Sequence, residues 1–97
     1  MRTKVGYCEK QGQVLRSLMP HYYFDTRDGP ELLRDEEGIE LDGIQAARDE
    51  ATRGLADLSK EAIPGSERRE LAIEVRDGWS RPLLRAALSF EVAVLVG

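Results

Sequence analysis

His21 is the only histidine and Cys8 the only cysteine of this chain, and they lie in different segments. A cysteine–histidine nucleophile pair or a histidine-rich metal site therefore has almost nothing to draw on. Carboxylates are more plentiful. Asp35-Glu36-Glu37, with Glu40 and Asp42 after it and Asp25, Asp28 and Glu31 before it, offers the hard oxygen ligands that Mg²⁺ or Ca²⁺ takes. Its spacing matches no calcium-binding loop, and the plainer reading is a solvated segment whose charge favours the adjoining helix N-terminus. A paired-carboxylate acid–base site would use the same residues, but nothing in the sequence marks a pocket for it. No glycine-rich phosphate loop, nucleophile elbow or CxxC pair occurs. No catalytic, cofactor-binding or metal-ligating residue is assigned, and a non-enzymatic protein is expected.

Other residues suit contact rather than catalysis. Arg27, Arg34, Arg76, Arg81 and Arg85 fall in strand or turn segments and, beside Tyr22 or Tyr23, could meet a nucleic acid by charge and base stacking. Each has carboxylates nearby in sequence, and the net charge of −4 opposes a phosphate backbone. Trp79 lies in a turn region, where an indole either packs back onto a sheet, the preferred reading, or meets a partner. Tyr23, Arg27, Arg76, Trp79 and Arg85 form the candidate interaction surface. The expected partner is a protein ahead of a nucleic acid. The uncharged tail from Ala93 to Gly97 either prolongs the last strand or offers an edge to a second copy of the chain.

Such residues need a scaffold, and 97 residues with 41% hydrophobic and 33% charged side chains suffice for one folded core. From His21 to Arg27 the chain alternates, placing Tyr22, Phe24 and Thr26 on one face and His21, Tyr23, Asp25 and Arg27 on the other. Asp28-Gly29-Pro30 supplies a turn, after which Glu31 to Asp35 returns as a second strand and Ile39-Glu40-Leu41 leads toward a helix. Asp42 is the expected N-cap, with Gln45 at capping-box spacing.

Ile44, Ala47, Ala51, Leu55, Leu58 and Ala62 recur in steps of three and four, so one apolar stripe faces a sheet. Arg53 can pair with Asp49 or Asp57 across i,i+4, and Pro64-Gly65 ends the helix near Ile63. Glu70 to Arg76 and Leu84 to Val92 alternate as strands three and four, separated by Asp77-Gly78. Their wet face carries Glu70, Glu74, Arg76, Arg85, Ser89 and Glu91. The expectation is an α+β fold in which two β-hairpins flank one amphipathic helix, in the order β-β-α-β-β, with the helix on one face of an antiparallel sheet. Phe24 to Gly29 echoes Ile73 to Gly78, each followed by a Leu-Leu pair, either through shared turn chemistry or through duplication.

Residues 1–18 lack such patterning and carry Arg2, Lys4, Lys10 and Arg16 against Glu9 alone. They read as a disordered N-terminal extension, by a genuine arm or an upstream start codon, ahead of a single domain over residues 19–97. No signal-peptide or membrane-spanning apolar run is found. With one cysteine and no possible internal disulfide, a reducing cytoplasm is expected and membrane attachment is not.

The segments Met19-Pro20-His21-Tyr22-Tyr23-Phe24-Asp25-Thr26-Arg27-Asp28-Gly29 and Asp35-Glu36-Glu37-Gly38-Ile39-Glu40-Leu41 resemble those of a family of short proteins abundant in alphaproteobacteria and classed as a domain of unknown function. Ala46-Ala47-Arg48 and the run from Leu71 through Asp77 to Pro82-Leu83 are similar to its other recurring segments, whereas Gly43 and the Trp79-Ser80 turn depart from them. The resemblance implies no activity, cofactor or partner, and the family's usual start at the equivalent of Met19 sets residues 1–18 apart. The layout is also similar to that of HicB-type antitoxins and double-stranded RNA-binding folds, which carries no function with it.

Overall fold

A computed structural model describes residues 20–96, so the expected extension over residues 1–18, with Cys8, lies outside the described residues. Where the sequence alternates, strands form: β1 (His21–Asp28), β4 (Arg68–Arg76) and β5 (Pro82–Glu91). β1 and β4 run antiparallel with Phe24 opposite Val75 and Thr26 opposite Ile73. β5 continues the sheet beyond β4, with Leu84 opposite Val75, Ala86 opposite Ile73 and Leu88 opposite Leu71. Because cross-strand partners share a face, these registers collect the apolar positions of three strands on one side. The outer side of β1 takes two short strands, β2 (Glu31–Leu33) along Thr26 to Asp28 and β3 (Ile39–Glu40) along His21 and Tyr22. The result is a five-stranded antiparallel sheet in the order β2-β1-β4-β5, with β3 also on β1.

The single helix among the described residues, α1 (Ile44–Ala62), joins the hairpins and packs on β4 and β5. Ala47 and Ala51 are fully buried against Tyr22, Ile73 and Val75, and Leu55, Leu84 and Phe24 close the periphery. Small residues on the helix let it lie close to the sheet. A Cβ on Gly54 would come within 2.9 Å of the Ile73 Cδ1 atom. At the other end of the helix, Arg69 donates from Nη1 to the Ala62 carbonyl and to the Ser66 hydroxyl, and from Nε and Nη2 to the two carboxylate oxygens of Asp28. A cation placed on the last carbonyls complements the helix dipole, and here it also ties the helix end to β1.

The α+β class stands, with the helix between a first and a second group of antiparallel strands, but the described order is β-β-β-α-β-β. The second strand ends at Leu33 rather than Asp35, and Ile39–Glu40, expected only to lead toward the helix, is itself a strand. Asp42 is not the cap. Gly43 holds that position at φ 154° and ψ −175°, a region only glycine occupies readily, and no side chain caps the helix. Arg53 bonds Glu50 at i,i+3 instead of Asp49 or Asp57. The last strand begins at Pro82 and ends at Glu91, and its final rung is the Val92 N–H donating to the Glu67 carbonyl. The tail does not prolong it, and residues 92–96 are exposed.

The sequence echo between the two turns also yields different structures. Gly29-Pro30 is a two-residue loop with Gly29 at φ +60°, the positive φ that such a hairpin turn requires. The second hairpin is longer and carries a register irregularity at Val75/Arg76. Its loop is organised by the Asp77 carboxylate, which accepts the Trp79 and Arg81 N–H groups at 2.9 Å each and Arg81 Nε at 3.1 Å. Trp79 does not pack back onto the sheet. It stands at the tip of this loop, 88% exposed, because the bonds that shape the loop are satisfied locally by Asp77 and leave the indole outside.

Gly38 and Gly29 both adopt positive φ, but only Gly38 is crowded: a Cβ there would meet the His21 ring at 2.7 Å and the Tyr22 carbonyl oxygen at 2.8 Å, while nothing lies near Gly29. Gly29→Ala should therefore cost only the backbone strain, about 1 kcal/mol. Gly38→Ala should cost clearly more, roughly 2–3 kcal/mol, since steric displacement adds to that strain. Urea unfolding midpoints at unchanged slope measure both; equal losses would contradict the crowding argument.

Candidate functional site

Residues that alternate with the core positions point away from α1, and on this open face the sheet is held by charge. Asp25 is only 5% exposed. Its carboxylate accepts Arg76 Nε at 2.9 Å, Arg76 Nη2 at 3.4 Å and the Asp35 N–H at 2.9 Å. Arg76 Nη2 also donates to the Asp35 carbonyl at 2.8 Å, so one guanidinium joins β4, β1 and the loop after β2. The guanidinium carbon lies 4.7 Å from the centroid of the Tyr23 ring, a cation–π contact, and the Tyr23 ring meets that of His21 at 5.1 Å. His21 Nε2–H in turn donates to the Glu37 carbonyl at 2.9 Å, which assigns the proton to that nitrogen.

The Asp35 side chain completes the knot. Its Oδ2 accepts the Phe24 N–H and its Oδ1 accepts the N–H groups of Glu37 and Gly38, all at 3.1 Å. In an antiparallel ladder N–H groups turn alternately to the two neighbours. The Gly29 N–H bonds the Glu70 carbonyl of β4, so odd-numbered residues of β1 face β4 and even-numbered ones face outward. Phe24 thus presents its N–H to the gap between β2 and β3, and a carboxylate fills it. This is why β2 stops early: the strand is replaced by a side chain.

Burial acts against ionisation of Asp25, but the Arg76 guanidinium and the Asp35 N–H outweigh it and hold the carboxyl below the usual carboxylate range. Asp35 is likewise opposed by burial and held low by the N–H groups of Phe24, Gly38 and Glu37. Glu74 is lowered by Arg27 and, after a smaller opposing effect of burial, by Arg85. Its Oε2 accepts Arg27 Nε and Arg85 Nε at 3.2 Å each, a ladder running from β1 through β4 to β5.

Four of the five surface residues named from sequence, Tyr23, Arg27, Arg76 and Arg85, therefore lie on one face of the sheet. Trp79 stands apart, lining a shallow cavity of about 530 Å³ with Pro20, His21, Tyr22, Arg81 and Leu83. Arg27, Arg76 and Arg85 are engaged with carboxylates of the same face. The acidic segment is divided by its backbone, with both oxygens of Asp35 taken by N–H groups. Among the described residues no three or more His, Cys, Asp or Glu side chains converge as a metal site. Sequence reasoning missed Asp35 as the loop's organiser and Arg69 as the helix clamp. Asp35 with glycine three residues on is a recognisable side-chain turn signal, whereas nothing local marks Arg69.

These depressed carboxyls predict acid sensitivity with a definite sign. A folded-state pKa below the unfolded value gives stability that is complete above about pH 4–5 and is lost as pH falls through the folded value. Unfolding midpoints should be level from near neutrality to mildly acidic pH and drop below about pH 4; a midpoint that rises on acidification would contradict it. Arg76→Met should destabilise by about 2 kcal/mol because Asp25 remains buried without its cation. Arg85→Met, at an exposed pair, should cost less than about 1 kcal/mol.

A family model described as a domain of unknown function, DUF6894, matches residues 21–89, from the first residue of β1 into β5. No curated protein and no solved structure matches the sequence. With the match covering all of the helix and most of the sheet, the chain belongs to the DUF6894 family.

Proposed function

We propose that this chain is a non-enzymatic protein-interaction module that receives its partner along the outer edge of β5. One observation carries the reading. β1's outer side is covered by β2, β3 and the Asp35 carboxylate, whereas among the described residues no strand pairs with the far side of the ten-residue β5. Natural sheets guard such edges with lysines, inward charges or prolines. β5 has Pro82 at its first position, Arg85 and Glu91 as its charges, and Leu, Ala, Ser and Phe elsewhere. Strand addition uses this kind of edge, drawing affinity from main-chain hydrogen bonds and specificity from alternate side chains.

The rival readings have less support. A nucleic-acid module needs arginines available to phosphates, and of the five named from sequence Arg27, Arg76, Arg81 and Arg85 each pair with a carboxylate, leaving Arg34 alone exposed without one among the described residues. A carboxylate enzyme or cation site over Asp35 to Asp42 would have to release Asp35 from the backbone it holds. We place the protein in the cytoplasm of an alphaproteobacterium, the setting that the motifs and the lone cysteine favour. No described helix is long and apolar enough to cross a membrane.

The test is affinity capture of the tagged full chain from an alphaproteobacterial lysate, with nuclease and across a salt series, alongside Ala87→Pro. A protein partner should survive nuclease and moderate salt and be lost with Ala87→Pro, whose circular dichroism should match the parent. Recovery of nucleic acid with affinity falling steeply in salt would overturn the reading, as would capture indifferent to Ala87→Pro.

A further inference from the structure

We infer that the occupant of the β5 edge is a second copy of this chain, paired antiparallel about Leu88; this rests on the edge-binding reading above and names its partner. The direction of the backbone groups comes first. Val92 N–H bonds the Glu67 carbonyl within the β4–β5 register, so the even-numbered residues of β5 turn N–H and C=O toward β4. Arg85, Ala87, Ser89 and Glu91 therefore turn theirs outward. An antiparallel partner can form a ladder only by setting outward residues opposite outward residues, which for two identical strands means a two-fold axis at a residue rather than between residues.

Centring the axis on Leu88 places Arg85 opposite Glu91 of the second copy and, by symmetry, Glu91 opposite Arg85. Both charges of β5 are then matched with the opposite sign on the open face, where the Glu91 carboxylate, 3.6 Å from Arg68 Nη2 of its own chain, would be shared between Arg68 and the second copy's arginine. Ala87 meets Ser89 on the same face. On the helix side Leu88 meets its own copy, Ala86 meets Phe90, and Leu84 meets Val92. Leu88 and Val92, both exposed in the single chain, would gain cover there. Moving the axis to Ala87 sets Leu83 against Glu91 and Arg85 against Ser89, which loses both charge pairs. Arg85 is suited to the role because it spends its Nε on Glu74, leaving the far side of the guanidinium to reach across the edge. The two sheets become one continuous sheet, and the open edge disappears from the assembly.

The register gives the proposal a test that a nonspecific association would not pass. In a Cys8→Ser background, Leu88→Cys faces itself in a non-hydrogen-bonded pair, whose Cα separation suits a disulfide. It should oxidise to a covalent dimer. Ala86→Cys alone should not, but mixed with Phe90→Cys it should. The unmodified full chain should approach twice its 10.9 kDa mass on sedimentation as concentration rises. Glu91→Arg should weaken that association, and adding Arg85→Glu to it should restore it; circular dichroism confirms that each variant folds. A monomeric mass at every concentration, or cross-linking without preference for Leu88→Cys, overturns self-pairing. If the chain is monomeric while lysate capture still fails with Ala87→Pro, the edge reading stands and only the second copy is wrong; if Ala87→Pro alters neither, both fall.

Discussion

A carboxylate mostly withdrawn from water requires a cation and hydrogen-bond donors, and Asp25 receives both from two different parts of the chain. Arg76 reaches it from β4, and the Asp35 backbone reaches it from the loop behind β2. That single requirement joins the first hairpin to the second, because β1 and β4 are the central strands of the sheet and meet through this pair. Tyr23 lies against the same guanidinium and His21 meets the Tyr23 ring at a tilt, so the arginine anchors a chain of two rings and a loop. An apolar pair at these positions could pack equally well, but it could not hold the Asp35 backbone in place.

The two edges of the sheet are treated in opposite ways. On the β1 side, two strands are too short to cover the ladder, and the Asp35 carboxylate takes the outward N–H of Phe24 between them. Gly38 is the counterpart of that device, since the chain can return past His21 only where no Cβ intervenes. On the β5 side, the described chain supplies no such cover. Among the described residues one edge is closed by a side-chain lock and a longer, less charged edge is open, and the proposal of a partner at β5 rather than on the charged face rests on that asymmetry. On that face the arginines named from sequence are held internally: Glu74 holds Arg27 and Arg85, and Asp25 holds Arg76.

The helix shows how modest a core can suffice. Ala47 and Ala51 bury completely while larger stripe residues remain at the margin, and Ile44 is 51% exposed. Small residues let the helix approach β4 closely, so packing density replaces side-chain bulk. Its ends are finished unequally. The N-terminus has only Gly43 and no side-chain cap, whereas the C-terminus has Arg69, held to Asp28 and to the Ala62 carbonyl.

What the sequence by itself determined were the features with a period: the alternation of β1, β4 and β5, the helical stripe from Ala47 to Ala62, and the breaks at Gly29, Pro64 and Gly78. These depend on backbone geometry repeating every two or 3.6 residues, so they can be read locally. The helix start was misplaced by one residue because Asp42 is a good cap in isolation, while in the fold Gly43 takes the cap position and no side chain bonds the first turn. Only the tertiary structure decided which carboxylates Arg27, Arg69, Arg76 and Arg85 would meet, that Asp35 would stand in for a strand, that Trp79 would remain outside, and which edge of β1 and β5 the described residues would leave open. Those outcomes turn on strand order and register between residues about fifty positions apart, such as Asp25 and Arg76. A side chain's neighbours in space cannot be counted from its neighbours in sequence, because the sheet sets them when it closes.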